Sequence, residues 1–157
     1  MNRPELNDDF RDMLAALAEA EVEFLVVGAH ALAVHGIVRS TGDLDIFVRP
    51  SRGNARRVVE ALRIFGAPLV AHGVDAADFE KVEAVYQIGL PPRRIDLLTS
   101  ITGVSFDEAL EHAVSVPIDE RTVRVIGRAA LLRNKRATGR DKDRLDADEL
   151  ERQPAED

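Results

Sequence analysis

The chain contains no cysteine and no tryptophan, and only one tyrosine and six phenylalanines among its 157 residues. Without cysteine there is no disulfide framework, no thiolate metal site and no thiol nucleophile. With so few aromatic rings, a core has to be built mostly from Leu, Val, Ile and Ala. No apolar run is long enough to span a membrane, and residues 1–5 have no apolar segment of the signal-peptide kind. The expectation is therefore a cytoplasmic protein with no membrane partner. What is present is 45% hydrophobic and 31% charged residues, the make-up of a soluble globular protein leaning towards charge. A chain of this length can bury a real core, so one domain over residues 1–157 is expected.

The net charge of −7 is unevenly spread. Residues 141–157 hold eight acidic and three basic side chains, a net of −5, which leaves −2 for the rest. An acidic total does not favour nonspecific nucleic-acid binding. Basic clusters at Arg56-Arg57, Arg93-Arg94 and Arg133 to Arg140 still leave room for a local basic groove.

Periodicity orders the chain. Asn7 or Asp8 is placed to cap a helix with the stripe Phe10, Met13, Leu14 and Leu17. Residues 24–27 read as a buried strand ending at Gly28, and 29–35 as a short helix closed by Gly36. Ser51 opens a helix with Ala55, Val58, Val59, Leu62 and Phe65 on its apolar side, stopped by Gly66 and Pro68. Residues 69–78 look irregular, 82–88 form a strand, Pro91-Pro92 turns, and 94–99 form a second apolar strand. Ser105 and Glu108 have capping-box spacing for a helix over 106–113. Two short strands, 114–117 and 122–126, flank Asp119-Glu120, and a helical C-terminal segment over about 128–152 breaks at Gly139. This alternation predicts an α/β (α+β) domain with a mixed β-sheet flanked by helices.

The most informative stretch is Gly42-Asp43-Leu44-Asp45-Ile46-Phe47-Val48. Its period-2 alternation is that of a strand, which points the Asp43 and Asp45 side chains the same way with Cβ atoms roughly 6–7 Å apart. At an effective dielectric of about 20 the two charges repel by roughly 2–3 kcal/mol. Either a cation fills the gap, or the strand is a solvated acidic edge. Asp96 sits between Ile95 and Leu97-Leu98, where an unpaired carboxylate is expensive. It pairs with Arg93 or Arg94, or its strand lies beside the acidic one and it becomes a third ligand to the same cation. Gly28, between a strand and a helix, suits either a tight turn or a close approach of backbone amides to an anion. Arg39 and Thr41 place a cation and a hydroxyl just ahead of the acidic strand.

Together, strand–Gly–short helix–Arg-x-Thr-x-Asp-x-Asp, followed about fifty residues later by an apolar-flanked Asp, resembles the nucleotidyltransferase superfamily with the polymerase-beta-like fold. The resemblance runs from about Phe24 to Leu150, and the Asp-x-Asp core is its most specific part. Leu131-Leu132-Arg133-Asn134-Lys135 and Gly139-Arg140-Asp141-Lys142-Asp143 look like the segment closing the small toxin-type members, relatives of the abortive-infection toxins. The resemblance implies transfer of a nucleoside monophosphate from an NTP to an acceptor hydroxyl on tRNA, a protein or a small molecule. It implies Asp43, Asp45 and Asp96 as catalytic and metal-binding residues for two Mg²⁺ ions, with Mn²⁺ as the alternative, and Asp96 as the candidate base. Gly28, Ala29, Arg39, Thr41 and Lys135 would bind the nucleotide, and an antitoxin would be the partner if the protein is a toxin.

Where the superfamily usually has Gly-Gly or Gly-Ser, this chain has Gly28-Ala29, which keeps the amide but has no hydroxyl. That motivates an alternative, a catalytically weak nucleotide- or metal-binding module acting through a protein partner. A metal-dependent nuclease using the same carboxylates is a third reading, without the HD or multi-His signature to support it. His30 and His35 lack metal-ligand spacing. Lys135 either neutralises pyrophosphate or lies on a solvated helix face, and Arg140, Asp141 and Asp143 read as a helix-surface charge network.

Overall fold

Asn7 sets the first element: its side-chain oxygen accepts the Phe10 N–H at 2.9 Å and opens α1 (Asp8–Glu19), which buries Phe10, Met13, Leu14 and Leu17. The computed structural model describes residues 6–38 and 42–154. After α1 the chain runs through β1 (Phe24–Val27), α2 (Gly28–Val34), β2 (Leu44–Val48) and α3 (Arg52–Phe65). There follow α4 (Leu69–His72), a 3-10 turn over Ala76–Glu80, β3 (Val85–Ile88), β4 (Ile95–Leu98) and α5 (Phe106–Glu111). The hairpin β5 (Val114–Ile118) and β6 (Arg121–Val125) and the helices α6 (Arg128–Ala137) and α7 (Asp141–Arg152) complete it.

The six strands form one mixed sheet in the order β3-β4-β2-β1-β6-β5. The β2–β4 and β1–β6 pairs are parallel, and the other neighbours are antiparallel. This is the α/β mixed sheet flanked by helices that the periodicity predicts. Leu25, Ile46, Val48 and Leu97, on the three central strands, are fully buried, as strands covered on both sides require.

Beyond shifts of one residue, β2 starts at Leu44 and leaves Asp43 just before the strand, and three further stretches differ from the sequence reading. The stretch 69–78 is ordered into α4, closed by Gly73 in the left-handed region, and a 3-10 turn opened by a capping box between Asp75 and Asp78. Its short turns escape a periodicity window. β3 starts at Val85, three residues later than expected, because Glu83 takes a positive φ of 64° that no strand residue adopts. α5 stops at Glu111 so that Val114 can pair with Val125.

Buried Asn54 on α3 fastens the sheet from behind. Its Oδ1 accepts the Glu23 N–H at 2.7 Å, and its amide donates to the carbonyls of Glu23 and Arg49, both at 3.0 Å. Glu23 precedes β1 and Arg49 follows β2, so one side chain fixes the far ends of the antiparallel pair and thereby its register, Phe24 opposite Val48 through Val27 opposite Asp45. Asn54→Ala leaves three backbone groups without these bonds, and we expect a loss of about 2–3 kcal/mol in urea unfolding. Asn54→Asp, which cannot donate, should not restore it. A change under about 0.5 kcal/mol in Asn54→Ala would show that the fastening contributes nothing.

Candidate functional site

Strand pairing decides where the acids meet. β2 lies between β1 and β4, and its parallel register with β4 sets Asp45 directly opposite Asp96. Asp43 sits just before β2 and accepts the Arg94 backbone N–H at 3.0 Å. The three carboxylates therefore line one cleft of about 620 Å³. Of the two places open to Asp96 in the sequence, the structure realises both: its strand is the neighbour of the acidic strand, and it pairs with Arg94. The Arg94 guanidinium donates to both Asp96 oxygens, at 2.7 and 3.2 Å, and lies 3.4 Å from Asp43 Oδ2.

Asp45 has no such partner. Burial first, then the charges of Asp96 and Asp43, raise its pKa from 3.8 to about 7, against the opposing charge of Lys135. Gly28, the first residue of α2 directly after β1, is set against it. A Cβ at Gly28, whose φ is +70°, would fall 2.2 Å from Asp45 Oδ2, so only glycine leaves this carboxylate its place. Gly42 packs similarly on Ala29, where an added Cβ would meet the alanine methyl at 2.6 Å.

The opposite wall comes from the α6–α7 junction. Lys135 is mostly buried, with its ammonium 3.2 Å from Asp143 and 3.6 Å from Asp146. Asp143 also accepts from Thr138 at 2.7 Å and from Arg140 at 2.8 Å. Burial alone would push the Asp143 pKa up, but the Thr138 hydroxyl and the charges of Lys135 and Arg140 bring it below its ordinary value. This decides between the two sequence alternatives for Lys135 and corrects the reading of Asp143. Lys135 is not on a solvated face, and Asp143 is a buried anchor of the cleft wall, not part of a surface charge network.

The structure thus brings together Gly28, Ala29, Asp43, Asp45, Asp96 and Lys135 in one cleft. Arg39 and Thr41 lie outside the described residues. Sequence reasoning missed Asp146 and the burial of Asp143. Their signal is the spacing Asp143, Asp146, Ala147, Leu150, which puts both acids on the face of α7 that also buries two apolar residues. The histidines serve the fold: His30 Nε2 bonds the Gly42 carbonyl at 3.2 Å and His35 Nε2 that of Ile126 at 2.8 Å. Burial lowers the His30 pKa, as expected of a neutral ring. A separate cavity of about 340 Å³, lined mostly by apolar residues such as Leu14, Val26, Val34 and Leu44 with Arg11, His30 and Asp119 among them, holds no acidic cluster.

Among the described residues no three His, Asp or Glu side chains converge as a ready-made metal site. The donor set still suits a hard dication in its chemistry. It offers carboxylate oxygens alone, burial and the charges of Asp96 and Asp43 raise the Asp45 pKa to about 7, as a site short of positive charge would, and Gly28 leaves room beside Asp45 Oδ2.

In the unfolded chain Asp45 ionises near pH 4, but in the fold only near pH 7. Folding stability therefore falls as pH rises through this window, and the full penalty, on the order of 2–4 kcal/mol, is present above it. In metal-free buffer, Asp45→Asn should raise Tm by roughly 5 °C or more at pH 8 and change it little at pH 4. A lower Tm at pH 8 would show that the Asp45 charge is not a strain on the fold.

A family model described as "Nucleotidyl transferase of unknown function (DUF2204)" matches residues 6–156. Among solved structures, the chain is similar to an antigenic nucleotidyltransferase-like protein from Paracoccidioides brasiliensis. The match has a TM-score of 0.50 at 14% identity and covers 90% of this chain and 72% of that one. At that identity the likeness concerns the fold, and it agrees with the mixed α/β sheet described above. No curated protein matches the chain.

Proposed function

From the premise that the chain belongs to the family of nucleotidyl transferases of unknown function, we propose that it moves a nucleoside monophosphate from a nucleoside triphosphate to an acceptor hydroxyl. The observation that carries this reading is the convergence of Asp43, Asp45, Asp96 and Lys135 on one cleft floored by Gly28 and Ala29. Triphosphate and acceptor both need that combination, with oxygen donors on one side and a fixed ammonium on the other.

Asp43, Asp45 and Asp96 would hold magnesium, or manganese in its place, and the bound ion would polarise the phosphate and acidify the acceptor hydroxyl. Lys135 meets the charge that develops on the departing pyrophosphate. It does so without reorganising, because Asp143 and Asp146 already orient it. Gly28 and Ala29 give the phosphates a floor without bulk, and the resemblance adds Arg39 and Thr41 to the nucleotide-binding set. Asp96 is the base that takes the acceptor proton, acting once its carboxylate is free of Arg94. The resemblance of residues 131–143 to the closing segment of toxin-type members extends the proposal to a toxin, with tRNA or a protein as acceptor and an antitoxin as partner.

The test is incubation with a panel of α-labelled NTPs, Mg²⁺, total tRNA and cell extract, read for what becomes labelled. Wild type should label one class of acceptor, and Asp43→Asn combined with Asp45→Asn should reduce transfer by about 10³-fold or more while the protein still folds. No labelled product with any NTP, alongside calorimetric NTP binding, would replace this reading with that of a binding module acting through a partner. Ala29 is the observation favouring that second reading.

A further inference from the structure

Arg94 stands among the carboxylates, where the proposed cation's charge would be needed. It precedes Asp96 by two residues, so both side chains leave the backbone on one face of the sheet. One guanidinium nitrogen lies 3.2 Å from Asp96 Oδ2 and 3.4 Å from Asp43 Oδ2, while Nε holds Asp96 Oδ1 at 2.7 Å. A single side chain thus neutralises two of the three acids. It is also the source of a contact that does not depend on its charge, since its backbone N–H donates to Asp43 Oδ1. The side chain lines the cleft and is 28% exposed, so it already reaches solvent.

We propose that Arg94 is a built-in counter-ion, which holds the carboxylate cluster together in the absence of a divalent cation and is displaced when one binds. This rests on the reading of Asp43, Asp45 and Asp96 as the cation's ligands. A guanidinium and a dication cannot share the same oxygens at close range, because their like charges repel and each lone pair serves one partner. The backbone bond from Arg94 to Asp43 survives the exchange, so the first acid stays in place while the side chain leaves. The device keeps three adjacent acids compatible with folding and makes the cation compete for its site.

Calorimetric titration of Mg²⁺ into the metal-stripped full-length chain tests this, together with melting curves with and without Mg²⁺. Arg94→Gln should bind Mg²⁺ about tenfold more tightly than wild type. It should also melt lower without cation and gain more from its addition. Arg94→Lys, which keeps a charge but cannot engage both Asp96 oxygens, should fall between them, and it carries the comparison if Arg94→Gln does not fold without cation. Equal or weaker Mg²⁺ affinity in these variants, with wild-type binding abolished by Asp43→Asn plus Asp45→Asn, overturns the counter-ion role alone. Mg²⁺ binding that survives the double aspartate substitution, or is absent from every variant, overturns the counter-ion role and the cation site together.

Discussion

The crowding of three like charges is the constraint on which this structure turns. Asp45 and Asp96 are register partners on adjacent parallel strands, and Asp43 adjoins them. Strand spacing leaves no freedom to move them apart. Everything nearby answers that repulsion in some way. Arg94 supplies positive charge to two of the acids, Asp45 takes up a proton near neutral pH, and Lys135 opposes from the far wall. Such an arrangement costs stability and is typical of a site where charge is needed for something other than folding.

The scaffold is organised to hold this constraint in place. Asn54 ties the ends of β1 and β2 farthest from the acids, and the buried aliphatic faces of β1, β2 and β4 fix the depth of each strand. The register is thereby set by groups remote from the charges, and the acids are carried to their positions by backbone geometry. At the other wall the same logic holds in miniature. Asp143 and Asp146 are buried on α7, and through them the two helices that follow the last strand deliver one oriented lysine.

The family relationship and the geometry support different statements. Membership rests on a match along nearly the whole chain, and the solved relative agrees in fold. Chemistry has to be argued from the site itself, because a shared fold hosts many reactions. Here the argument rests on one property, a patch of carboxylate oxygens facing an ammonium across a cleft large enough for a small charged molecule.

The sequence by itself determined the local elements. Asn7, Ser51 and Ser105 announce helix starts through their side-chain acceptors, Gly66 a helix end through its left-handed backbone, and the alternation around Asp43 and Asp45 a strand. These signals are legible because each depends on residues within a turn or two of one another. The short turns of 69–80 were not, since no period develops over four or five residues. What only the tertiary structure decided was neighbourhood. That Asp96 lies opposite Asp45, that Arg94 reaches Asp43 from the other end of a fifty-residue excursion, and that Lys135 faces inward are consequences of strand order and helix docking. Those are set by long-range burial, which leaves no mark on the residues immediately beside each charged group.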